Sequence, residues 1–488
     1  MHFSRLHPEP PSVQHRRTTN MFSLRSCLSL FLTALFAATP AIARPTLDRR
    51  LLLTPAFDPF YEPPAGFESE KPGTILRNRP VITSFIGLIP NPVDAYQLLY
   101  RTTAIDGSAI AEVTTVFVPA NASTDRFVSF QTAYDSADIV CNPSYNYRLG
   151  ALQANIIAAF EELILEVYLA LGYIVASSDY EGPDAAFGAG RLAGMGVLDN
   201  MRAVSSFEKL GLDDNPAIVG IGYSGGAIAT GWAASLQPTY ASELNIKGWA
   251  SGGTPANLTG TTVFLDNTFN AGFLPTAIAG ISTPSAYEAT LQPFLNNVLT
   301  SYGKYIIGAV RRLCAPGDLA LFVDQSILST EFQTQGYDIL YQSPLKAVLE
   351  QNIMGQNANE TPTAPYFLYH AIDDQIIPYQ NASTLYDNWC GYGADVDFLT
   401  YESGGHFTTE LVATIEQAKF VESAFAGTAS TGCSRRTAAD PTIDPLALGL
   451  DIEPILINLI TALGNLGEND IKLKNDMKTI NNTEGINT

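Results

Sequence analysis

Positive charge is scarce in this chain: 27 lysines and arginines stand against 48 acidic residues, a formal net charge of −21 over 488 residues. Nothing is therefore in excess to meet the phosphates of a nucleic acid, and such a partner is not expected. Charged residues of both signs make up only 15% and hydrophobic residues 46%, too apolar for a disordered chain and enough for a large core. Long apolar runs are missing as well. Beyond the N-terminus no stretch approaches ~20 uninterrupted apolar residues, so stable membrane insertion is not expected. No internal repeat is visible, which argues against a propeller and against the peptidases that carry one.

Cysteine is rare too. Of five cysteines, Cys27 lies in an N-terminal segment that reads as a secretion signal: residues 28–38 form a short apolar core after Arg25, and Ala41-Ile42-Ala43 has the small residues of a cleavage site. Residues 1–43 are read as signal peptide and leader, and the product as secreted and extracellular. Cys141, Cys314, Cys390 and Cys433 remain, an even number in an oxidising compartment, which gives two disulfides with three possible connectivities. Sequons at Asn121, Asn257, Asn359, Asn381 and Asn481 are candidate glycosylation sites. The dibasic pairs Arg49-Arg50 and Arg435-Arg436 are candidate points of trimming at either end.

After a proline-rich lead at 54–80, read as extended, strand-like and helix-like segments alternate. Strands are expected at 128–133, 173–177, 217–223 and 246–250, and helices at 155–171, at 200–210 and over the small-residue run after Gly226 up to Ser235. That rhythm predicts an α/β fold with a mostly parallel sheet covered by helices on both faces. From 257 to 353 strand signals stop and helical segments follow one another, notably 285–307 and 319–333, which predicts a helical lid or cap insertion. Strands resume at 365–371 and 396–401, and a helix at 408–425 closes the core. The expected organisation is thus core at 51–256, cap at 257–353, core again at 354–430, and a tail at 437–488 whose apolar stretch 444–466 packs against the body.

The run GIGYSGGAIATG at 220–231 places Ser224 between Gly222 and Gly226, directly after the apolar segment Ala217-Ile218-Val219. In a strand-to-helix turn this spacing lifts a serine oxygen clear of the backbone, and the glycines remove the Cβ atoms that would collide where strand and helix cross. A serine nucleophile needs a base and an acid. Of five histidines, His2, His7 and His15 lie in the leader. His406 stands in the glycine-flanked loop ESGGHF and is read as the base; His370, inside a strand, is read as structural. The turn after that strand carries Asp373 and Asp374. The order Ser, Asp, His at successive strand ends is that of α/β hydrolases. The backbone N–H of Gly225 is one expected oxyanion donor. The second belongs to the loop at 133–136, which lacks the HGGG run of many esterases.

Taken together, GYSGG at 222–226, YDS at 134–136, HAIDDQIIPY at 370–379 and GGH at 404–406 resemble the fungal secretory lipase family of the lipase A type, over about residues 55–435. The resemblance implies an α/β-hydrolase fold with a helical lid and no metal or other cofactor. It implies action on triacylglycerols and related long-chain esters, as a monomer at an oil–water interface. Ser224 is then the nucleophile, Asp374 the acid, His406 the base, and Asp135 with Gly225 the oxyanion residues. It also implies disulfides Cys141–Cys314 and Cys390–Cys433. The family has proline where this chain has Asp373; Asp374 is read as the acid because it stands four residues before Pro378, with Asp373 the alternative. A carboxylesterase or acyltransferase of soluble esters fits the same residues, and a hydrolase fold reduced to a binding module is the reading from another class. All three triad residue types in order argue against the latter.

Overall fold

The computed structural model describes residues 52–438; the 1–43 leader, Arg49-Arg50, Asn481 and the 444–466 stretch lie outside the described residues. The strands, in chain order, are β1 (Ile75–Val81), β2 (Ser84–Phe85), β3 (Ile89–Pro90), β4 (Asp94–Thr103), β5 (Ala109–Val118), β6 (Arg126–Gln131), β7 (Ile174–Ser178), β8 (Ala217–Tyr223), β9 (Ile246–Gly252), β10 (Tyr366–Ala371), β11 (Val396–Tyr401) and β12 (Ser434–Ala438). Ten of them form one sheet in the order β1-β4-β5-β7-β6-β8-β9-β10-β11-β12. From β7 to β12 every pairing is parallel, while β1, β4 and β5 join antiparallel. Strands β2 and β3 form a separate small hairpin.

Core helices are α1 (Ile156–Ala170), α2 (Gly190–Ser205) and α3 (Gly225–Tyr240). Between β9 and β10 come α4 (Leu258–Leu265), α5 (Phe273–Ile281), α6 (Glu288–Val298), α7 (Ser301–Val310), α8 (Ala315–Leu321) and α9 (Leu345–Gln351), and then α10 (Tyr379–Gly391) follows β10 and α11 (His406–Phe425) follows β11. Successive strand residues face opposite sides. Ile218 of β8 belongs to the same apolar cluster as Met201 of α2 and Trp232 of α3, whereas Val219, Ile221 and Tyr223 belong to the other, with Ile164 of α1 and Leu411 of α11. Two apolar faces explain why β8 reads as an unbroken apolar run.

Several expectations shift. No strand is expected before 128, yet β1, β4 and β5 widen the sheet there. The helix expected at 200–210 is α2, which begins ten residues earlier because its glycines serve packing: a Cβ at Gly190 would stand 2.2 Å from the Trp232 ring, and one at Gly194 2.7 Å from the Trp232 backbone. The helix expected over 285–307 divides at Thr300, whose hydroxyl accepts from the Gly303 N–H at 3.1 Å and starts α7. The helix expected over 319–333 ends at Leu321, and Asp324 follows with φ +54°. The sheet also continues past residue 430 into β12. There Arg435 bonds Asp387 at 2.7 Å, and Arg436 bonds Asp397 and Glu416 at 3.0 Å each. The second dibasic pair is thus held in a strand, with both guanidinium groups engaged, instead of lying in an open loop.

Of the three possible connectivities, Cys141 bonds Cys314 and Cys390 bonds Cys433. The first joins the loop after β6 to the start of α8, and the second joins α10 to the residue before β12. The sequons differ in access. Asn121 and Asn359 are exposed, whereas Asn257 is half-buried and its Oδ1 accepts from Gly260 N–H at 3.1 Å. Asn381 is buried, and its amide donates to the Thr261 hydroxyl at 2.7 Å, so a glycan there would have to break a buried hydrogen bond. Glycopeptide mapping of the secreted protein should find sugar on Asn121 and Asn359 and none on Asn381; an occupied Asn381 would contradict the packing of α4 against α10.

Candidate active site

Ser224 follows the last residue of β8 and precedes the first of α3, with φ +51° and ψ −119°, a costly conformation for any residue but glycine. The glycines on either side make the turn possible. A Cβ at Gly222 would stand 2.5 Å from the Gly226 carbonyl oxygen, and one at Gly226 1.9 Å from that of Gln131. Asp374 lies just past β10 and His406 just past β11. Because β8, β10 and β11 run parallel, all three residues emerge at the same edge of the sheet.

The structure brings them together. His406 Nε2 is 2.7 Å from Ser224 Oγ, and its Nδ1 is 2.7 Å from Asp374 Oδ2. The other carboxylate oxygen, Oδ1, accepts the backbone N–H groups of Ile376 and Ile377 at 2.8 Å each. Asp373 is exposed, while Asp374 is only 4% accessible. Burial alone would push the Asp374 carboxyl up, but His406 facing it, with hydrogen bonds from His370 and His406, holds it well below the usual carboxylate range. The histidine is fixed from several sides. Its backbone N–H donates to Gln375 Oε1 at 2.9 Å, Tyr223 OH donates to its carbonyl oxygen at 2.6 Å, and the two rings lie 4.9 Å apart.

Two contributors escape the sequence reading. His370, read as a packed strand residue, places Nε2 3.2 Å from Asp374 Oδ2 and 3.0 Å from the Ile377 carbonyl oxygen, so it braces the acid from behind. Gln375 holds the His406 backbone. The signal for both was their position in HAIDDQIIPY, flanking the aspartate.

Gly225 is the first residue of α3, so its N–H is among those the helix itself leaves unsatisfied. Asp135, after β6, has φ +45° and sits directly against it: a Cβ at Gly225 would lie 1.7 Å from Asp135 Oδ1. That oxygen is buried without a hydrogen-bond partner, and burial pushes the carboxyl up to about 7. Neighbours fix the loop. The Tyr134 carbonyl oxygen accepts from Asn155 at 2.8 Å and from the Ser136 hydroxyl at 2.6 Å, and that hydroxyl accepts the N–H of Ala315 in α8 at 3.1 Å.

Asp135, Ser224 and Gly225 open onto an apolar cavity walled by helices from the β9–β10 interval. Its lining is apolar, including Leu258, Phe273, Ile278, Leu295, Phe332 and Leu340. Apart from the site residues, only Thr261, Thr262 and Gln333 bring polar side chains.

A serine in a strand-to-helix elbow, with the acid and histidine on later strands of the same parallel sheet, defines an α/β hydrolase. Residues 148–432 match the family described as Secretory lipase, and the chain belongs to that family. It is 39% identical to a secreted triacylglycerol lipase of Malassezia furfur, covering 83% of each chain, and 37% identical to one of Malassezia globosa, covering 91% of this chain and 97% of that one. Among solved structures it is similar to Candida antarctica lipase A in its closed state, with a TM-score of 0.75 and 31% identity over 86% of this chain and 96% of the other.

Proposed function

We propose that this chain is a secreted serine lipase that hydrolyses the ester bonds of triacylglycerols and related long-chain esters. The observation that carries the reading is the hydrogen-bonded chain from Ser224 through His406 to Asp374 at the mouth of a deep apolar cavity. His406 Nε2 takes the Ser224 proton as Oγ attacks the ester carbonyl, while Asp374 accepts from Nδ1–H and stabilises the imidazolium. The Gly225 N–H and the Asp135 loop face the oxyanion. Collapse releases the alcohol, protonated by His406, and water activated by the same nitrogen then cleaves the acyl-enzyme. The cavity accommodates the acyl chain, and the helical segment at 257–353 acts as the lid that keeps water from the site. Family membership and the two named Malassezia relatives support the substrate class.

Emulsified triolein tested against dissolved short-chain esters decides the substrate: faster turnover on the emulsion is expected, and activity confined to dissolved esters would make the protein a carboxylesterase. A pH dependence follows from Asp135. Below about pH 7 its carboxyl is neutral and can donate O–H toward the oxyanion; above it the carboxylate repels the same charge. The wild-type kcat should therefore decline as pH rises through about 7, and Asp135→Asn should lack that decline because its amide does not ionise. Identical profiles for the two proteins between pH 5 and 9 would remove Asp135 from this role.

A further inference from the structure

Two surface segments of this strongly acidic chain contain no charge at all. Between Arg79 and Asp94 the sequence PVITSFIGLIPNPV carries none, and neither does LGALQANIIAAF between Arg148 and Glu161. The fold places them side by side. The N–H of Leu149 donates to the Ile82 carbonyl oxygen at 3.0 Å, that of Gly150 to Gly87 at 2.8 Å, and that of Ser84 to Tyr147 at 2.8 Å. Together the β2–β3 hairpin and the chain leading into α1 expose five large aliphatic side chains: Ile82 at 61%, Leu88 at 74%, Ile89 at 58%, Leu152 at 67% and Ile156 at 45%. The cations at the base are already paired, since Arg79 and Arg148 both bond Asp58, at 2.7 and 3.3 Å.

We infer that this uncharged aliphatic surface is where the protein docks onto a neutral lipid–water interface. The inference rests on the lipase reading, which says what the surface meets. Three observations select a lipid over other occupants. The large exposed side chains are all aliphatic, with Gln153 the one exposed polar side chain of the two segments, whereas protein interfaces concentrate aromatic residues and arginine in a core ringed by polar groups. With no lysine or arginine in either segment and a net charge of −21, anionic headgroups would be repelled, which leaves neutral or zwitterionic lipid. A buried hydrogen bond also ties the patch to the loop that carries Asp135. Asn155, between the exposed Leu152 and Ile156, donates to the Tyr134 carbonyl oxygen at 2.8 Å, one residue before Asp135. No helix among the described residues is long and apolar enough to cross a membrane, so attachment through this patch is shallow.

Adsorption of the full-length secreted protein to triolein droplets coated with phosphatidylcholine tests the assignment, measured by flotation in the Ser224→Ala background so that no substrate is consumed. Leu88→Gln with Leu152→Gln should weaken adsorption by about tenfold or more. The same pair in the active protein should leave hydrolysis of a dissolved short-chain ester unchanged. Tyr392→Gln, an exposed apolar side chain outside both segments, should leave adsorption unchanged. Equal adsorption of the double variant and its parent, no adsorption by the parent, or an equal loss with Tyr392→Gln would each overturn the proposal. So would light scattering that shows a dimer dissolved by the double substitution, which would give the patch to a second copy of the chain. Absence of any ester hydrolysis by the wild type would instead defeat the lipase reading, and flotation would still report on the surface separately.

Discussion

Ser224→Ala is expected to lower kcat for ester hydrolysis by roughly 10⁵ to 10⁶, leaving the weak rate that substrate binding and the oxyanion donors sustain. The size follows from the geometry. Ser224 Oγ is the atom 2.7 Å from His406 Nε2, and without it neither covalent attack nor the histidine's first proton transfer has a partner. The fold should survive, because the elbow's backbone strain is shared equally by serine and alanine and is accommodated by Gly222 and Gly226, which the variant keeps. The measurements are kcat on a dissolved ester, labelling by a fluorophosphonate probe, and the thermal unfolding profile. A folded variant that keeps substantial activity, or still takes the label at the active site, would move the nucleophile elsewhere.

Asp374→Asn should cost about 10⁴ in kcat, and Asp373→Asn less than about tenfold. The reason lies in how the carboxylate is shared. Oδ1 accepts two backbone N–H groups, from Ile376 and Ile377, and an asparagine must offer its oxygen there. Its NH₂ group is then forced to the position of Oδ2, facing His406 Nδ1. Nδ1 becomes the acceptor, the ring proton moves to Nε2, and Nε2 can no longer take the proton of Ser224. Asp373 is exposed, where a charge acts weakly through solvent. Steady-state kcat for the two variants decides the matter, and the reverse ranking would give the role to Asp373.

The site was legible because its parts are local. The elbow, the acid turn and the glycine-flanked histidine each occupy a few residues, and the β-strands ahead of them are nearly pure apolar runs. What the sequence did not display were contacts that only the folded turns and helix packing create. His370 looks like any packed strand residue until the turn after β10 folds its aspartate back onto it, and Asn155 until α1 docks beside Tyr134. The start of α2 is hidden in the sequence because Gly190, Gly194 and Gly196 lower helix propensity; the Trp232 contacts that require two of them belong to another helix. The cap helices were drawn too long because Thr300 and Asp324 break an otherwise continuous apolar pattern. The antiparallel strands β4 and β5 carry a sequence signal of their own, the Asp106-Gly107 turn between them.

The interruption of the sheet between β9 and β10 also sets the order in which the site is assembled during synthesis. Ser224 precedes His406 by 182 residues. At about 5 to 20 residues per second, translation delivers the histidine roughly 10 to 40 s after the serine. Throughout that interval Ser224 has no contact with His406, its proposed base, and strands β10 to β12 have yet to join the sheet. A nascent chain entering a compartment bounded by ester-linked lipids is therefore inert toward them until β11 has docked. On that reading, latency during biogenesis follows from the order of the strands.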